Sequence, residues 1–144
     1  MNEDRRRVVI VPCSGIGKAL GTVSREAAYE LCENLCPERT QLVALSKLVI
    51  GEEQARRQVR ANPVVTIDGC KKMCAATLVK HNGGSVAREV AAFETFRGHK
   101  DLKPEGIAEL NAEGKQLARV VAEEIAREID ALERPRAVSG GQHA

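Results

Sequence analysis

The chain has 144 residues, with 22 basic and 20 acidic side chains and a formal net charge of +2. That length suits one domain with a substantial core and is too short for two ordinary domains. The near balance of charge provides no broad basic surface, so nucleic acid is not an expected partner. No apolar run approaches the roughly 18 residues that cross a bilayer, and the basic N-terminal segment 1–7 has no signal-peptide core. We therefore expect a cytoplasmic protein without a membrane partner.

The first part of the chain predicts a strand followed by a helix. Residues 8–11 are a continuous β-branched run, which is typical of a strand buried on both faces of a parallel sheet. Apolar residues then recur at helical spacing over 23–35, and Pro37 marks the end of that helix. We expect Thr22 or Ser24 to cap its start.

The same alternation repeats further along the chain. Residues 42–45 predict a second strand, and 52–61 predict a short polar helix that ends before a proline. Residues 64–67 predict a third strand, and 72–81 predict a helix stopped by two glycines. A fourth strand is predicted over 86–93.

An apolar stripe of helical period runs over residues 104–132. With Pro104 in its first turn and Gly114 as a break, it predicts a long helix that packs on the core, with any exposed part available as a homodimer seam. Residues 134–144 include Pro135, Ser139, Gly140 and Gly141 and predict a disordered tail. Strands alternating with helices indicate one three-layer α/β domain over 8–133, with a mostly parallel sheet of about four strands, Rossmann-like or flavodoxin-like.

The cysteine and aromatic content narrows the expected chemistry. Five cysteines are an odd number for a reducing compartment, so we expect metal binding or thiol chemistry rather than a disulfide framework. Tyr29, Phe93 and Phe96 are the only aromatic residues, so base-stacking surfaces and aromatic cofactor cages are poorly supported.

The first predicted strand ends in a loop with the sequence Cys13-Ser14-Gly15-Ile16-Gly17-Lys18. Ala19 after Lys18 excludes a Walker A loop, and Leu20 stands where a dinucleotide fingerprint needs its third glycine. A phosphatase-type cysteine loop would carry arginine at the place of Ala19. Standard nucleotide and phosphatase functions are therefore poorly supported.

The same loop retains a capacity to bind anions. Gly15 and Gly17 let backbone N–H groups point inward beside a helix N-terminus. Together with Ser14 and Lys18, they could hold a small anion or stabilise a thiolate at Cys13. A plain strand-to-helix turn is the alternative.

A second cysteine segment, Asp68-Gly69-Cys70-Lys71-Lys72-Met73-Cys74, follows the third predicted strand. Cys70 and Cys74 have the spacing of a metal-binding pair, and a helix N-terminus lowers the pKa of a thiol. Asp68 could ligate, orient a partner or cap the helix, and capping or turn formation is the commoner fate of Asp before Gly. If both strands are parallel, Cys13 and the second segment share the carboxyl edge where open α/β folds bind ligands. Three thiols could then meet, which predicts a metal or thiol site.

Two motifs carry a family resemblance. They are Asp68-Gly69-Cys70 followed by Cys74-Ala75, and Pro12-Cys13-Ser14-Gly15-Ile16-Gly17 followed by Gly21 and Arg25. Through them the chain resembles the DGC-domain family, small bacterial and archaeal proteins named for the Asp-Gly-Cys triplet and usually described as zinc-binding. The resemblance covers about residues 8–132 and implies a metal-binding α/β domain that contains Cys13, Cys70 and Cys74. Many members have a further cysteine at the second strand, where this chain has Gln41-Leu42-Val43, so the resemblance supplies no fourth thiolate here.

The fourth ligand stays open among several candidates. His99 and Glu94 follow the fourth predicted strand and so lie at the correct edge, with His99 the better candidate. His81 is about 10 Å down its helix from the second cysteine segment. Cys32 lies about 12 Å from the edge, so we expect it and Cys36 to be small buried apolar residues rather than a separate redox pair. Water or an external ligand is the remaining alternative.

Four functions are compatible with these residues. The leading hypothesis is a zinc-binding domain that uses the three thiolates, with Lys18, Lys71 and Arg25 offsetting their charge. The second is a thiol or redox enzyme, in which Cys13 attacks a small oxidised or anionic substrate and a cysteine of the second segment resolves the product. The third is an iron–sulfur carrier, and the fourth is a structural adaptor that needs no cofactor.

Overall fold

Four parallel strands and the helices that cover them make up the part of the chain that the computed structural model describes, residues 7–13 and 17–133. The strands are β1 (Val8–Pro12), β2 (Thr40–Leu42), β3 (Val64–Asp68) and β4 (Val86–Ala91). Their order is β2-β1-β3-β4, and every neighbouring pair is parallel. The predicted α/β fold is therefore confirmed, with the strand order of a flavodoxin-like sheet. The predicted tail and all but the last residue of the predicted basic segment lie outside the described residues.

Helices cover both faces of this sheet. In chain order they are α1 (Ala19–Tyr29), which continues as a π-helical segment (Glu30–Leu35), α2 (Leu45–Val49), α3 (Glu53–Ala61), α4 (Cys74–His81), α5 (Ala92–Arg97), α6 (Ala112–Ala126) and α7 (Ile129–Glu133). One face packs against α1, α5, α6 and α7, and the other against α2, α3 and α4. None of these helices is long and apolar enough to cross a membrane.

Alternate residues of β1 pack into two separate cores. Val8 and Ile10 face α1 and α6, whereas Val9 and Val11 face the side of α2, α3 and α4. All four residues are 0% exposed, which explains the unbroken β-branched run in the sequence.

The second and fourth strands are shorter than predicted. β2 begins early, at Thr40, and ends at Leu42, because only three of its residues align with β1. Leu45 starts α2 instead and packs with Leu48 into the second core. β4 ends at Ala91, where the chain turns directly into α5. Tertiary packing thus converts two predicted strand ends into short helices.

The predicted helix from residue 104 begins only at Ala112, so that prediction is wrong at its start. Asn111 is the N-cap of α6, and its side-chain oxygen accepts the Gly114 N–H at 2.8 Å. The same amide accepts the Glu105 N–H and donates to the Lys103 carbonyl, both at 3.0 Å. It therefore holds the preceding segment outside the helix, and Gly114 lies in the first turn rather than at a break. From Leu110 onward the apolar positions of the stripe pack into or against the core, as predicted, whereas Ile107 is 53% exposed. The predicted long helix is also divided, into α6 and α7.

The predicted caps of α1, Thr22 and Ser24, are wrong. Lys18 is the N-cap residue, and it makes no side-chain capping bond. The Thr22 hydroxyl instead donates to the Ile107 carbonyl at 2.7 Å, and the Ser24 hydroxyl bonds back within α1 at 3.0 Å. Thr22 therefore joins α1 to the segment that precedes α6.

The predicted ends of α3 and α4 are confirmed. α3 ends at Ala61, two residues before a proline. After α4, Gly83 has a φ of +90°, and the N–H groups of Gly83 and Gly84 bond to the carbonyls of Lys80 and Val79, each at 3.0 Å. This pair of bonds is a Schellman motif, which needs the left-handed backbone that glycine adopts without strain.

Thr66, in the middle of β3, has a buried hydroxyl with no hydrogen-bond partner among the described residues. A buried unpaired hydroxyl costs on the order of 1–3 kcal/mol. We expect Thr66→Val to raise the free energy of unfolding by about 1 kcal/mol in urea denaturation. Thr40→Val is the matched control: its buried hydroxyl donates to the Cys36 carbonyl at 2.8 Å, so its loss lowers that free energy by about 1 kcal/mol. Equal effects of the two substitutions would contradict this account of Thr66.

Candidate functional site

The strand order creates a crevice at the carboxyl ends of β1 and β3. From β1 the chain turns toward β2 on one side, and it then crosses over to form β3 on the other. Ligands of open α/β sheets bind at such a topological switch point. Cys13 follows β1 directly, and its N–H donates to the Ile67 carbonyl of β3 at 2.9 Å. Asp68-Gly69-Cys70 ends the neighbouring strand, so the two cysteine segments share one edge of the sheet.

Asp68 caps α4 from the end of β3. It is 1% exposed, and its two carboxylate oxygens accept the N–H groups of Ala75 at 2.8 Å and Ala76 at 3.2 Å. The local N-cap residue, Met73, has a φ of +52° and makes no side-chain capping bond, so Asp68 supplies what the local sequence lacks. Burial raises the pKa of Asp68, and the two N–H groups oppose that rise. Of the three roles the sequence allowed for this residue, the structure supports capping.

Gly69 lies against the first turn of α1. A Cβ placed on it would be 2.7 Å from the Gly21 nitrogen and 2.8 Å from the Leu20 carbonyl carbon and oxygen. No side chain fits in that space, so the loop after β3 and the start of α1 are in direct backbone contact. This contact sets Cys70 beside the N-terminus of α1.

The two cysteines of the second segment have different surroundings. Cys70 is half-buried and lines a cleft beside the start of α1. Its carbonyl accepts the Met73 N–H at 3.2 Å, which closes the turn that leads into α4. Cys74 is the first residue of α4 and is exposed. Of this pair, only Cys70 lines the cleft.

Cys13 approaches the other side of the sheet. It is half-buried and packs against the core that contains Val9 and Val11, because it continues their alternation along β1. Cys70 lines the cleft on the side of α1. The edge is therefore shared, but Cys13 and Cys70 contact different sides of the sheet.

The residues predicted to stabilise an anion or a thiolate are only partly described. Ser14 and Gly15 lie outside the described residues. Gly17 is exposed with a φ of +82°, a conformation that other L residues rarely adopt. Lys18 is exposed and lines the cleft, whereas Arg25 is half-buried about two turns into α1 and does not line it. The binding of an anion by this loop stays a prediction.

The cleft beside Cys70 has a volume of about 600 Å³. Its walls come from the start of α1, the loop after β3, α5 and the segment before α6. Its charged residues are Lys18, Lys71, Lys103 and Glu105, and its larger apolar residues are Leu20, Phe93, Phe96 and Pro104. The arrangement can hold a small molecule that has both an apolar and a charged part.

Sequence reasoning missed the far wall of this cleft. Phe93 was included in a predicted strand and Lys103 lay just before a predicted helix, although both line the cleft. The i, i+3 spacing of Phe93 and Phe96 was an available signal for one face of a short helix. Asn111 was a second available signal. Because Asn is a preferred N-cap residue, it indicates a helix that starts after residue 111 rather than at 104.

The predicted fourth ligands make other contacts. The His99 ring Nδ1 lies 3.1 Å from the Thr95 carbonyl, and His99 does not line the cleft. Glu94 is exposed and pairs with Arg97 at 3.3 Å. His81 ends α4, at the opposite end from its cysteine. His99 as a ligand stays a prediction without support from this geometry.

Cys32 and Cys36 belong to the packing around the π-helical segment. Cys36 is 8% exposed, and Cys32 is half-buried with Thr40 as its hydrogen-bond partner. Burial is the main cause that raises the pKa of both thiols. Cys36 is a small buried residue, as predicted, whereas Cys32 is only partly buried.

Within residues 7–13 and 17–133, no group of three or more His, Cys, Asp or Glu side chains is placed to hold a metal ion. Cys13 and Cys70 approach different faces of the sheet, and Asp68 is occupied as a cap. The donor types at the edge suit zinc, but the described arrangement does not gather three of them. The ligand set Cys13, Cys70 and Cys74 stays a prediction.

The fold and the edge define a class of protein: a doubly wound α/β domain with cysteines at the switch point of its sheet. The family model of the DGC domain matches residues 9–123, and the chain belongs to this family. The matched range contains all five cysteines. No curated protein and no solved structure matches the chain.

Proposed function

We propose that the chain is a cytoplasmic metal-binding protein that holds zinc through the thiolates of Cys13, Cys70 and Cys74. The observation that carries the proposal is the position of these cysteines at the switch point between β1 and β3. The DGC-domain match includes all three of them. Thiolates are ligands that zinc prefers, and the described cysteines form no disulfide, which fits a reducing compartment.

The chain's own residues would prepare such a site. Asp68 fixes the start of α4, and Gly69 fixes the turn beside α1, so the backbone around Cys70 is held in two directions. Cys74 is exposed on the first turn of α4 and free to change its rotamer. Because the thiols are not gathered, we propose that the side chains close around the metal ion on uptake, with release of thiol protons.

Metal content is the direct test. We expect protein purified without oxygen and without a histidine tag to contain about one zinc ion per chain by elemental analysis. Cys13→Ser and Cys70→Ser are each expected to reduce that content more than about tenfold, because serine is a poor zinc ligand at neutral pH.

Cys32→Ser is the matched control for this experiment. It removes a half-buried thiol away from the switch point and should retain the zinc content of the unmodified protein. Circular dichroism of each variant separates loss of a ligand from loss of the fold. Zinc that persists in both folded site variants, or is absent from the unmodified protein, would contradict the proposal, and a visible absorption band would indicate an iron–sulfur cluster instead.

A second candidate function is thiol chemistry on a small anionic substrate. The observation that favours it is the cleft, which places Cys70 beside lysines and the N-terminus of α1. Metal-free protein in which the half-buried Cys70 reacts with iodoacetamide much faster than the exposed Cys74 would support this function over zinc binding.

A further inference from the structure

We propose that the cleft beside Cys70 binds a small organic anion, with an apolar body against the phenylalanines and a carboxylate or phosphate among the lysines. This site goes beyond the proposed zinc function, because it would recognise a molecule rather than a metal ion. It adjoins the switch point, where open α/β folds bind their ligands.

The charged residues of the cleft favour a negatively charged ligand. Lys18, Lys71 and Lys103 line it together with one acidic residue, Glu105. All four are exposed, and none of the three lysines forms an ion pair with a described carboxylate. Three unpaired cations at one cleft against one carboxylate favour an anion.

The apolar walls require the ligand to have an organic body. Phe93 and Phe96 are half-buried in the wall formed by α5, and Leu20 of α1 also lines the cleft. The Arg97 guanidinium lies 5.8 Å from the centre of the Phe93 ring, which restrains that ring from outside the cleft. A volume of about 600 Å³ lies within the usual range of small-molecule pockets and far exceeds a bare phosphate or sulfate.

The walls are held in place before any ligand arrives. Gly69 is in backbone contact with α1, and Thr22 of α1 bonds to the Ile107 carbonyl. Asn111 holds both Lys103 and Glu105 through their backbones while it caps α6. A preformed cleft loses little conformational entropy on binding, which favours a specific ligand site.

Binding of three naphthalene probes tests the proposal. 2-Naphthoate and 2-naphthyl phosphate carry the two candidate anionic groups, and 2-naphthamide is their neutral counterpart. The chain has no Trp and one Tyr, so the naphthalene fluorescence can be titrated with little interference from the protein. We expect at least one anion to bind about tenfold more tightly than the amide, and the tighter anion identifies the preferred group.

A lysine pair supplies the matched variants. Lys103→Ala removes a cation of the cleft and should weaken anion binding about fivefold while leaving amide binding unchanged. Lys47→Ala removes an exposed lysine from α2, on the other face of the sheet, and should leave all three affinities unchanged.

Cysteine alkylation reports where the probe lies. Trypsin separates Cys70, on a peptide ending at Lys71, from Cys74, on the peptide 73–80, so mass spectrometry follows each thiol alone. We expect a saturating anion to slow the alkylation of Cys70 by iodoacetamide at least about tenfold, in line with its occupancy, and to leave Cys74 unchanged. The titration and the alkylation are each done on metal-free and on zinc-loaded protein. The result in metal-free protein tests anion binding even if the zinc proposal fails.

Three outcomes would overturn the inference. They are equal binding of the anions and the amide, equal affinities of Lys103→Ala and Lys47→Ala, and unprotected Cys70 at saturation in metal-free protein. Tighter anion binding that is lost in Lys103→Ala and protects only Cys70 supports it.

Discussion

The variant Gly69→Ala is expected to lower the free energy of unfolding by about 3 kcal/mol, because the added methyl group has no space. Its Cβ would lie 2.7 Å from the Gly21 nitrogen and 2.8 Å from the Leu20 carbonyl. These are backbone atoms in the first turn of α1, so no change of rotamer relieves the overlap. Relief requires α1 to move away from β3, which opens the core between them. Urea denaturation followed by circular dichroism measures the loss.

Gly98→Ala is the matched control. A Cβ at Gly98 would meet only the Thr95 carbonyl oxygen, at an ordinary 3.7 Å, and the backbone there is right-handed helical. We expect a change within about 0.5 kcal/mol. Gly69 has no positive φ either, so backbone strain does not enter the comparison. If the two variants were equally stable, the close contact between β3 and α1 would be wrong.

Much of the fold could be predicted from local patterns. The β-branched runs at β1 and β3 predicted strands, because central parallel strands are buried on both faces. The glycines after α4 predicted its end, because the motif there needs a positive φ. The short β2 and the late start of α6 were not predictable from periodicity, because they depend on alignment with β1 and on the contacts of Asn111.

The candidate site was predictable in position but not in arrangement. Two strand-to-cysteine patterns placed Cys13 and Cys70 at one edge, and the parallel pairing of β1 and β3 puts them there. The side of the sheet that Cys13 packs against follows the alternation along β1, whereas no pattern indicated the cleft beside Cys70 or the φ of +52° at Met73. The wall of the cleft at Phe93 and Lys103 comes from segments more than 20 residues further along the chain, which meet Cys70 only in the folded protein.

The Asp-Gly-Cys triplet has a separate physical role for each residue. Asp68 caps α4 on one face of the sheet, and Gly69 allows α1 to pack closely on the other. Cys70 follows at the point where these two constraints meet, and it lines the cleft. Asp68 and Gly69 thus position Cys70, whose thiol is the reactive group of the triplet.

Asp68→Ala is accordingly expected to destabilise the protein by about 3 kcal/mol, because it leaves two backbone N–H groups at the start of α4 without their acceptor. Asp68→Asn retains one side-chain oxygen as an acceptor but turns an NH2 group toward the second backbone N–H. Its stability should therefore lie between that of the unmodified protein and that of Asp68→Ala. Amide hydrogen exchange at Ala75 and Ala76 should accelerate in Asp68→Ala more than elsewhere in the core.

Glu52→Ala provides the comparison for an ordinary cap. The Glu52 side chain accepts one bond, from the Ala55 N–H at 3.0 Å, at a half-buried position of α3, and its loss should cost about 0.5–1 kcal/mol. The larger effect expected at Asp68 follows from its burial and its two bonds. If Asp68→Ala lost zinc but kept the stability of the unmodified protein, the carboxylate would be a ligand rather than a cap. In metal-free protein the Asp68 carboxylate has no metal to bind. A loss of stability on Asp68→Ala under that condition would therefore establish that the carboxylate caps α4.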